Sequence, residues 1–328
     1  MINTKTLNKK QKIAIIGCGY WGSIIAKTLI SLKFKNIYIY DENLNNALIL
    51  KNKFSNLIIE KKLEKILKNK KILNCFLITP PSKNLSLIKI FIKNRKNIFV
   101  EKPGVTNLSQ LKQIKKLLNI SKNKFMIGYV YCYNDQIRKI KKIIQSKILG
   151  DIMYINFQRQ NLGPIRNDVD VDYDLTSHDI SILYYLFNKI PKISLKKKYS
   201  FLKKNISDIS NLHLKIDSII IDINNSWINP TKIRKLTIVG SKKMLLFNEL
   251  DQNSPITIYN QYANYPDTSY FDKRFLKNKA YIYYGNRYPV KYKKSLSLDN
   301  EITHFFTKKK PLTDINFGIK ILKFLDRV

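Results

Sequence analysis

The chain has 328 residues, more than one hydrophobic core holds comfortably, so two domains are expected. Hydrophobic residues make up 44% and aromatics 12%, which excludes a disordered chain, and 60 Lys and Arg against 23 Asp and Glu leave a formal net charge of +37. Three scattered cysteines (Cys18, Cys75 and Cys132) argue against a disulfide framework, and three histidines argue against a metal site.

The charge alone suggests a polyanion partner, but its distribution does not. Lysines occur along the whole chain, with no RNP-like aromatic motif, zinc finger or recognition-helix signature beside them. They accompany abundant Asn, Ile, Tyr and Phe, all residues of A/T-rich codons. The basicity therefore reads as genome composition, and no specific nucleic-acid partner is expected. A positive field would still draw in anionic small molecules. No long apolar run precedes Gly17, and no stretch of about eighteen uncharged apolar residues follows it. Neither a signal peptide nor a membrane span is expected, and a cytoplasmic location is.

In chain order, Lys12 to Ile16 (KIAII) reads as a strand, followed by Gly17-Cys18-Gly19-Tyr20-Trp21-Gly22 and a helical stretch from Ser23 to Leu32. Strand, glycine turn and helix in this order predict a dinucleotide site built on Gly17, Gly19, Tyr20, Trp21 and Gly22. Gly17 permits the tight turn, Gly19 lets the backbone approach a pyrophosphate, and Gly22 lets helix and strand pack closely. The helix N-terminus offers N–H groups to the phosphates. A second strand, Ile37 to Tyr40, ends at Asp41, about 20 residues past the last glycine, where a carboxylate grips the ribose of NAD. The same carboxylate would repel a 2′-phosphate, so NAD is expected over NADP.

Two further strands follow. Asn74 to Ile78 ends in Thr79-Pro80-Pro81, and Asn97 to Val100 ends in Glu101-Lys102-Pro103. Periodic, lysine-rich helices lie between and after them, at Leu85 to Lys93 and Gln110 to Leu118. The alternation predicts a parallel, doubly wound sheet with its ligand beyond the strand C-termini. The glycine turn, Asp41, Thr79, Pro80, Glu101 and Lys102 should then line one crevice. This order of strand, GxGxxG, TPP and EKP resembles the Gfo/Idh/MocA family of sugar-modifying oxidoreductases. The resemblance implies an NAD(P)-binding Rossmann domain over residues 1–122 and a substrate-binding and oligomerisation domain of α+β type over 123–328. It also implies that Lys102 is an active-site residue. Where the family usually has a histidine after TPP, this chain has Asn84.

In the second half, Lys124 to Tyr131 reads as the strand leading out of the first domain. Asn134 to Leu149 reads as a helix stopped by Gly150, and Asp151 to Gln158 as the next strand. Arg159-Gln160-Asn161-Leu162-Gly163-Pro164-Ile165-Arg166 reads as a loop with two arginines. On the helix beyond it, Asp174 and His178 are four apart and share one face, while Ile180, Leu183 and Phe187 should pack on a sheet. The resemblance implies that this D-x-x-x-H pair completes the site begun by Lys102. His178, held by Asp174, would be the base, or Lys102 would take that role if burial lowered its pKa. Arg159, Asn161 and Arg166 would join Lys102, Asp174 and His178 around the substrate, the arginines pairing with a diphosphate or carboxylate. His213 and His304 are expected to be hydrogen-bonded structural residues, and Tyr131 and Tyr133 core aromatics.

Past Pro191 short alternating runs predict a largely antiparallel, open sheet: His213 to Ile216, Ser218 to Asn224, Lys235 to Val239, Lys243 to Phe247, Ile256 to Tyr259 and Ala280 to Tyr284. Ser226 to Arg234 reads as a strand and turn with one packed tryptophan, Trp227, and is also similar to a segment of nucleotide-sugar members of the family. Phe317 to Leu325 reads as a terminal helix. The resemblance further implies hydride transfer between NAD and a sugar hydroxyl in surface-polysaccharide or related sugar metabolism. The 3-hydroxyl of a UDP-N-acetylhexosamine or its uronic acid is the expected substrate group. The alternatives are an NADPH-dependent reductase of a 3-keto nucleotide sugar, a dehydrogenase of a free sugar or polyol, and a non-catalytic dinucleotide sensor. An open sheet face usually finds a partner, so a homodimer or homotetramer is expected.

Overall fold

A computed structural model describes residues 7–167, 169–264 and 281–328. The chain divides into two compact units. The first runs through Asn134 and takes back Ser295–Arg327, and the second comprises Asp135–Lys294 with Val328. The expected division after residue 122 is corrected on both counts. Phe125–Gly128 does not lead out of the first unit but pairs with it as a strand, and the C-terminal segment returns to cover that unit's sheet.

The first unit alternates strands and helices: β1 (Lys12–Ile16), α1 (Tyr20–Ser31), β2 (Asn36–Tyr40), α2 (Leu44–Lys53), β3 (Ile58–Ile59), α3 (Leu63–Lys68), β4 (Ile72–Leu77), α4 (Pro81–Lys93), β5 (Asn97–Glu101), α5 (Leu108–Ser121) and β6 (Phe125–Gly128). The strands form one parallel sheet in the order β3-β2-β1-β4-β5-β6. Helices cover both faces of such a sheet, which is why its strands are apolar without alternation: Ile13, Ala14, Ile15 and Ile16 are all buried. The order reverses between β1 and β4, and that is where a doubly wound sheet opens a crevice for a ligand.

The second unit begins with α6 (Asp135–Gln145) and β7 (Ile152–Leu162), then a single π turn (Asp172–Thr176) that runs on into α7 (Ser177–Phe187). Its remaining strands are β8 (Lys192–Tyr199), β9 (Ile209–Ile216), β10 (Ile219–Ser226), β11 (Ile228–Gly240), β12 (Met244–Asn248), β13 (Ile256–Asn264) and β14 (Tyr281–Pro289). They form one eight-stranded sheet in the order β14-β13-β12-β11-β7-β10-β9-β8, antiparallel except between β7 and β10. One face carries the buried row Ile155 and Phe157 on β7, Leu212 and Leu214 on β9, Ile221 and Ile223 on β10, and Leu236 and Ile238 on β11. The intervening residues, Tyr154 and Asn156 among them, are half-buried on the opposite face. The open antiparallel sheet expected from the alternation is therefore present. Ala280, the first residue of one expected strand, lies outside the described residues.

Two local expectations are corrected. α6 ends at Gln145 rather than Leu149, because Lys147 turns left-handed at φ 55° and breaks the ladder before Gly150 is reached. Residues 159–162 are not loop but the last residues of β7, which pair with β10 and β11.

The chain then returns as α8 (Ser297–Thr307) and α9 (Ile315–Leu325). Phe305 of α8 sits on the sheet of the first unit, its ring centroid 5.4 Å from Phe76 and 5.9 Å from Phe99. Phe306 meets Phe34 at 4.7 Å. α9 packs by Phe317 against Tyr129, centroids 5.3 Å apart. Burying each of these rings stabilises the fold by roughly 1.5–3 kcal/mol. Among the described residues no helix is long and apolar enough to cross a membrane. Phe305→Ala is expected to destabilise the protein by about 3–5 kcal/mol, read as a lower urea midpoint, since the sheet cannot collapse into the space left.

Candidate active site

The end of β1 carries the first part of the site. Gly17 has φ 100°, and a Cβ on it would lie 2.4 Å from the Ile78 carbonyl oxygen. A Cβ on Gly22 would lie 2.1 Å from the Gly17 carbonyl oxygen. Both positions therefore admit only glycine, the first for the turn and the second for the close packing of α1 on β1. Gly19 differs, since a Cβ there would meet nothing within 4 Å. It is the N-cap of α1, has no side-chain cap, and no acid stands in the first turn. An uncapped helix N-terminus with no side chain in the way is what an anionic phosphate requires. Tyr20 and Trp21 occupy the same turn, exposed, with rings perpendicular and 6.0 Å apart.

Asp41 follows β2 and reaches the same turn. Its Oδ2 accepts the Cys18 backbone N–H at 2.7 Å, and its Oδ1 accepts from the Asn43 N–H at 2.9 Å and the Asn46 amide at 3.2 Å. One carboxylate thus pins the glycine turn and presents charge beside it. Burial, and then the Asp41 carboxylate, push the Cys18 thiol up to about 12, so it is not a nucleophile here. Lys83, a cation near this edge, is ion-paired with Glu42.

The turns after β4 and β5 are tied together by Asn84. Asn84 is buried, its Oδ1 accepts from the Thr79 hydroxyl at 2.5 Å, and its Nδ2 donates to the Gly104 carbonyl at 2.7 Å. Thr79 and Pro80 therefore lie beside the turn that follows Glu101 and Lys102, at the same edge of the sheet as Gly17 and Asp41. Glu101 and Lys102 are both half-buried, and burial raises the Glu101 carboxyl to about 7 against the pull of the Lys102 ammonium.

The second unit holds the other expected residues. Asp174 lies in the π turn and His178 in the first turn of α7. The Asp174 carboxylate accepts the indole N–H of the fully buried Trp227 at 3.2 Å and stands 3.8 Å from the Arg166 guanidinium. Trp227 is packed as expected, fully buried with Val171 and Leu175, and its indole N–H is taken by Asp174. The other acids of that segment are structural. Asp170 accepts the N–H groups of Asp172 and Tyr173, and Lys198 joins it to Asp172 at 2.8 and 3.1 Å. Along α7 not only Ile180 and Leu183 but also Ile182 and Leu186 are buried, while Phe187 is only half-buried.

Arg159 departs from its expected place. It is buried on β7, its Nε and Nη2 lying 3.1 and 3.0 Å from Oδ1 of Asp179, which itself accepts from Asn225 at 3.0 Å. Burial raises the Asp179 carboxyl, and the Arg159 charge opposes that rise. The guanidinium expected to be an open fork on a loop instead ties α7 to β7. Asn161, also buried, accepts from Arg234 and donates to the Gly163 carbonyl. Arg166 alone of the expected loop residues stands next to Asp174. His213 bonds Asp222 at 2.6 Å, and His304 accepts the Leu312 N–H at 3.0 Å.

A parallel sheet with a glycine turn, an open helix N-terminus and a carboxylate after the second strand defines a dinucleotide-dependent oxidoreductase. Two family profiles match the chain: the oxidoreductase family with an NAD-binding Rossmann fold over residues 11–129, and the GFO/IDH/MocA C-terminal domain over residues 137–246. The chain belongs to the Gfo/Idh/MocA family and is a dehydrogenase. No curated protein matches it. Among solved structures it is similar to UDP-N-acetylglucosamine 3-dehydrogenase GnnA from Acidithiobacillus ferrooxidans, at 16% identity and TM-score 0.78, over 97% of this chain and 96% of that one. It is similar to a putative NADPH-dependent oxidoreductase from Desulfitobacterium hafniense, at 16% identity and TM-score 0.80, over 96% and 93%. An oxidoreductase from Agrobacterium radiobacter, solved with NAD+, L-tartaric acid and magnesium, matches at 12% identity and TM-score 0.77, over 97% and 94%. At these identities the likeness is one of fold.

The glycines separate two effects that one substitution elsewhere would mix. Gly19→Ala is expected to leave the urea midpoint of the free protein unchanged and to weaken dinucleotide binding at least tenfold by calorimetry. Gly22→Ala is expected to lower the midpoint itself, because its Cβ meets backbone.

Proposed function

We propose that the chain is an NAD-dependent dehydrogenase that oxidises a hydroxyl of a nucleotide sugar, the 3-hydroxyl of a UDP-N-acetylhexosamine or its uronic acid. The observation that carries this reading is the edge of the first sheet. Lys102 follows directly on β5, two strands from the glycine turn, and Asn84 ties its turn to that of Thr79. An amine at that edge stands where a dinucleotide running past the turn would end. Gly17 to Gly22 would hold the pyrophosphate and Asp41 the ribose. Bound NAD would supply the acceptor for the hydride, and the chain has to manage the proton.

In this reading Lys102 and His178 act on the same substrate hydroxyl. His178 accepts its proton, while Lys102 polarises the oxygen. Asp174 lies one turn before His178, and Trp227 and Arg166 hold its carboxylate in place. Arg159 serves Asp179, and Arg166, which also faces Asp174, would pair with a diphosphate or uronate. The choice of NAD over NADP rests on Asp41, whose negative charge opposes a 2′-phosphate, and on the engagement of Lys83 by Glu42. The nucleotide-sugar substrate is supported by the segment from Ser226 to Arg234 and by the likeness to GnnA.

The test is the absorbance of reduced nicotinamide with UDP-N-acetylglucosamine and its uronic acid plus NAD, against 3-keto sugars plus NADPH. Signal in the first arm is expected; signal in the second alone would make the enzyme a reductase, and none in either would remove the substrate. Lys102→Ala and His178→Ala are each expected to lower turnover by ~10²-fold or more with NAD binding retained. Unchanged turnover in both would end the assignment. Asp41→Ala should weaken NAD and narrow the NAD-to-NADP affinity ratio, measured by titration of both dinucleotides.

A further inference from the structure

One buried acid has no part in the site described above. Glu301 lies in α8, fully buried, and neither of its carboxyl oxygens meets a hydrogen-bond partner among the described residues. A carboxylate so placed is costly, and such a group holds a proton instead.

Its position follows from the run of α8. Near the C-terminal end of the helix, the Phe305 carbonyl accepts the amine of Lys124, just before β6, at 2.7 Å. Near the other end, Asn300 donates to the Tyr133 carbonyl, beyond the end of β6, at 3.1 Å. The helix therefore runs antiparallel to the strands. Glu301 stands one turn before Phe305 and on the same face, and Phe305 lies on Phe99 of β5. This carries Glu301 to the C-terminal end of β5, where Glu101 stands. Glu101 in turn lies flat against Gly128: a Cβ on that glycine would come within 3.1 Å of both carboxyl oxygens and 3.0 Å of the Phe99 ring. The Glu101 carboxyl also takes the backbone N–H of Lys102.

Lys102, just past β5, acts on Glu101, and Glu301 acts on Tyr133; Cys132 neighbours Tyr129 and Tyr133, and the His304 ring lies 5.0 Å from that of Tyr133. Burial pushes the Tyr129 phenol up; burial and then the Glu301 charge push up that of Tyr133, so neither supplies a counter-charge at neutral pH. Glu301 is raised well above the ordinary carboxyl range by burial and then by the Glu101 charge.

We propose that Glu301 is a positioning residue for Lys102: its carboxyl and that of Glu101 share one proton, and the pair sets the charge that faces the lysine amine. The inference rests on the reading of Lys102 given under the proposed function. When the ammonium gives up its proton, the Glu101–Glu301 pair can take one, so the net charge of the cluster does not change. The neutral amine is the form that can accept the proton of a substrate hydroxyl.

The free full-length protein tests this without substrate. Its infrared spectrum at neutral pH should show the C=O band of a protonated carboxylic acid, weakened in Glu301→Gln and fading in the wild type only as pH rises well above the ordinary carboxyl range. Lys102 can be followed by NMR of its 13C-methylated amine, assigned with Lys102→Arg. In Glu301→Gln, Glu101 stays raised by burial and the second negative charge that the pair gains on losing its shared proton is gone, so the neutral fraction of Lys102 at a given alkaline pH should rise roughly tenfold. No such band in the wild type, or identical Lys102 titrations in the two proteins, overturns the proposal. A protein that shows both signals but oxidises no nucleotide sugar keeps the shared proton and loses the substrate. Should Glu301→Gln not fold, the wild type alone decides by its urea stability. Acids raised in the folded state stabilise it at low pH, and that contribution is lost as pH rises from about 4.5 to about 7. A stability that instead rises over this window overturns the proposal.

Discussion

The first unit depends on how closely the chain approaches itself past the end of β1. Gly22 lies so near the Gly17 carbonyl that no side chain fits between them. That contact sets α1 with its N-terminus at the edge of the sheet, and its uncapped N-terminus offers backbone N–H groups that can hold a phosphate. Asp41 fastens the turn by the Cys18 N–H and stands beside it as a charge. The reversal of strand order between β1 and β4 leaves the crevice open at the same point. Packing, capping and ligand chemistry thus follow from a few ångströms of backbone clearance.

In the second unit the organising contacts are polar and buried. Asp179 joins Arg159 on β7 to Asn225 on β10, and so fixes α7 against the sheet. Lys198 joins Asp170 and Asp172 and fixes the π turn. Removing one partner from such a pair leaves an uncompensated buried charge and costs about 3–5 kcal/mol, which makes these pairs better at specifying one arrangement than at adding stability. A chain with so few acids places several of them inside, and each determines where a helix sits. Asp174 is then held by Trp227 and Arg166 in the π turn, one turn before His178.

How far the sequence could be read differs between the units for a physical reason. The strands of the first unit are buried on both faces and therefore appear as plain apolar runs, and its glycines are required by the backbone. β1 falls where KIAII predicts it, and β2, β4 and β5 fall within a residue or two. α8 escaped notice because its buried face includes Glu301 and Thr303 among the apolar positions Ile302 and Phe305, so no clean stripe is visible. Arg159 and Asn161 were read as loop because polar residues on the buried face of β7 break the alternation that marks a strand.

By itself the sequence determined the class of fold, the dinucleotide turn and the types of group that can move a proton, because these rest on local spacing and on backbone conformations few residues can adopt. Tertiary structure alone decided which charges are occupied. Arg159 is spent on Asp179, Asn84 links two turns, and Glu301 meets the end of β5 through a helix some 200 residues later in the chain. Such pairings depend on burial and on approach in space, and spacing along a chain carries neither.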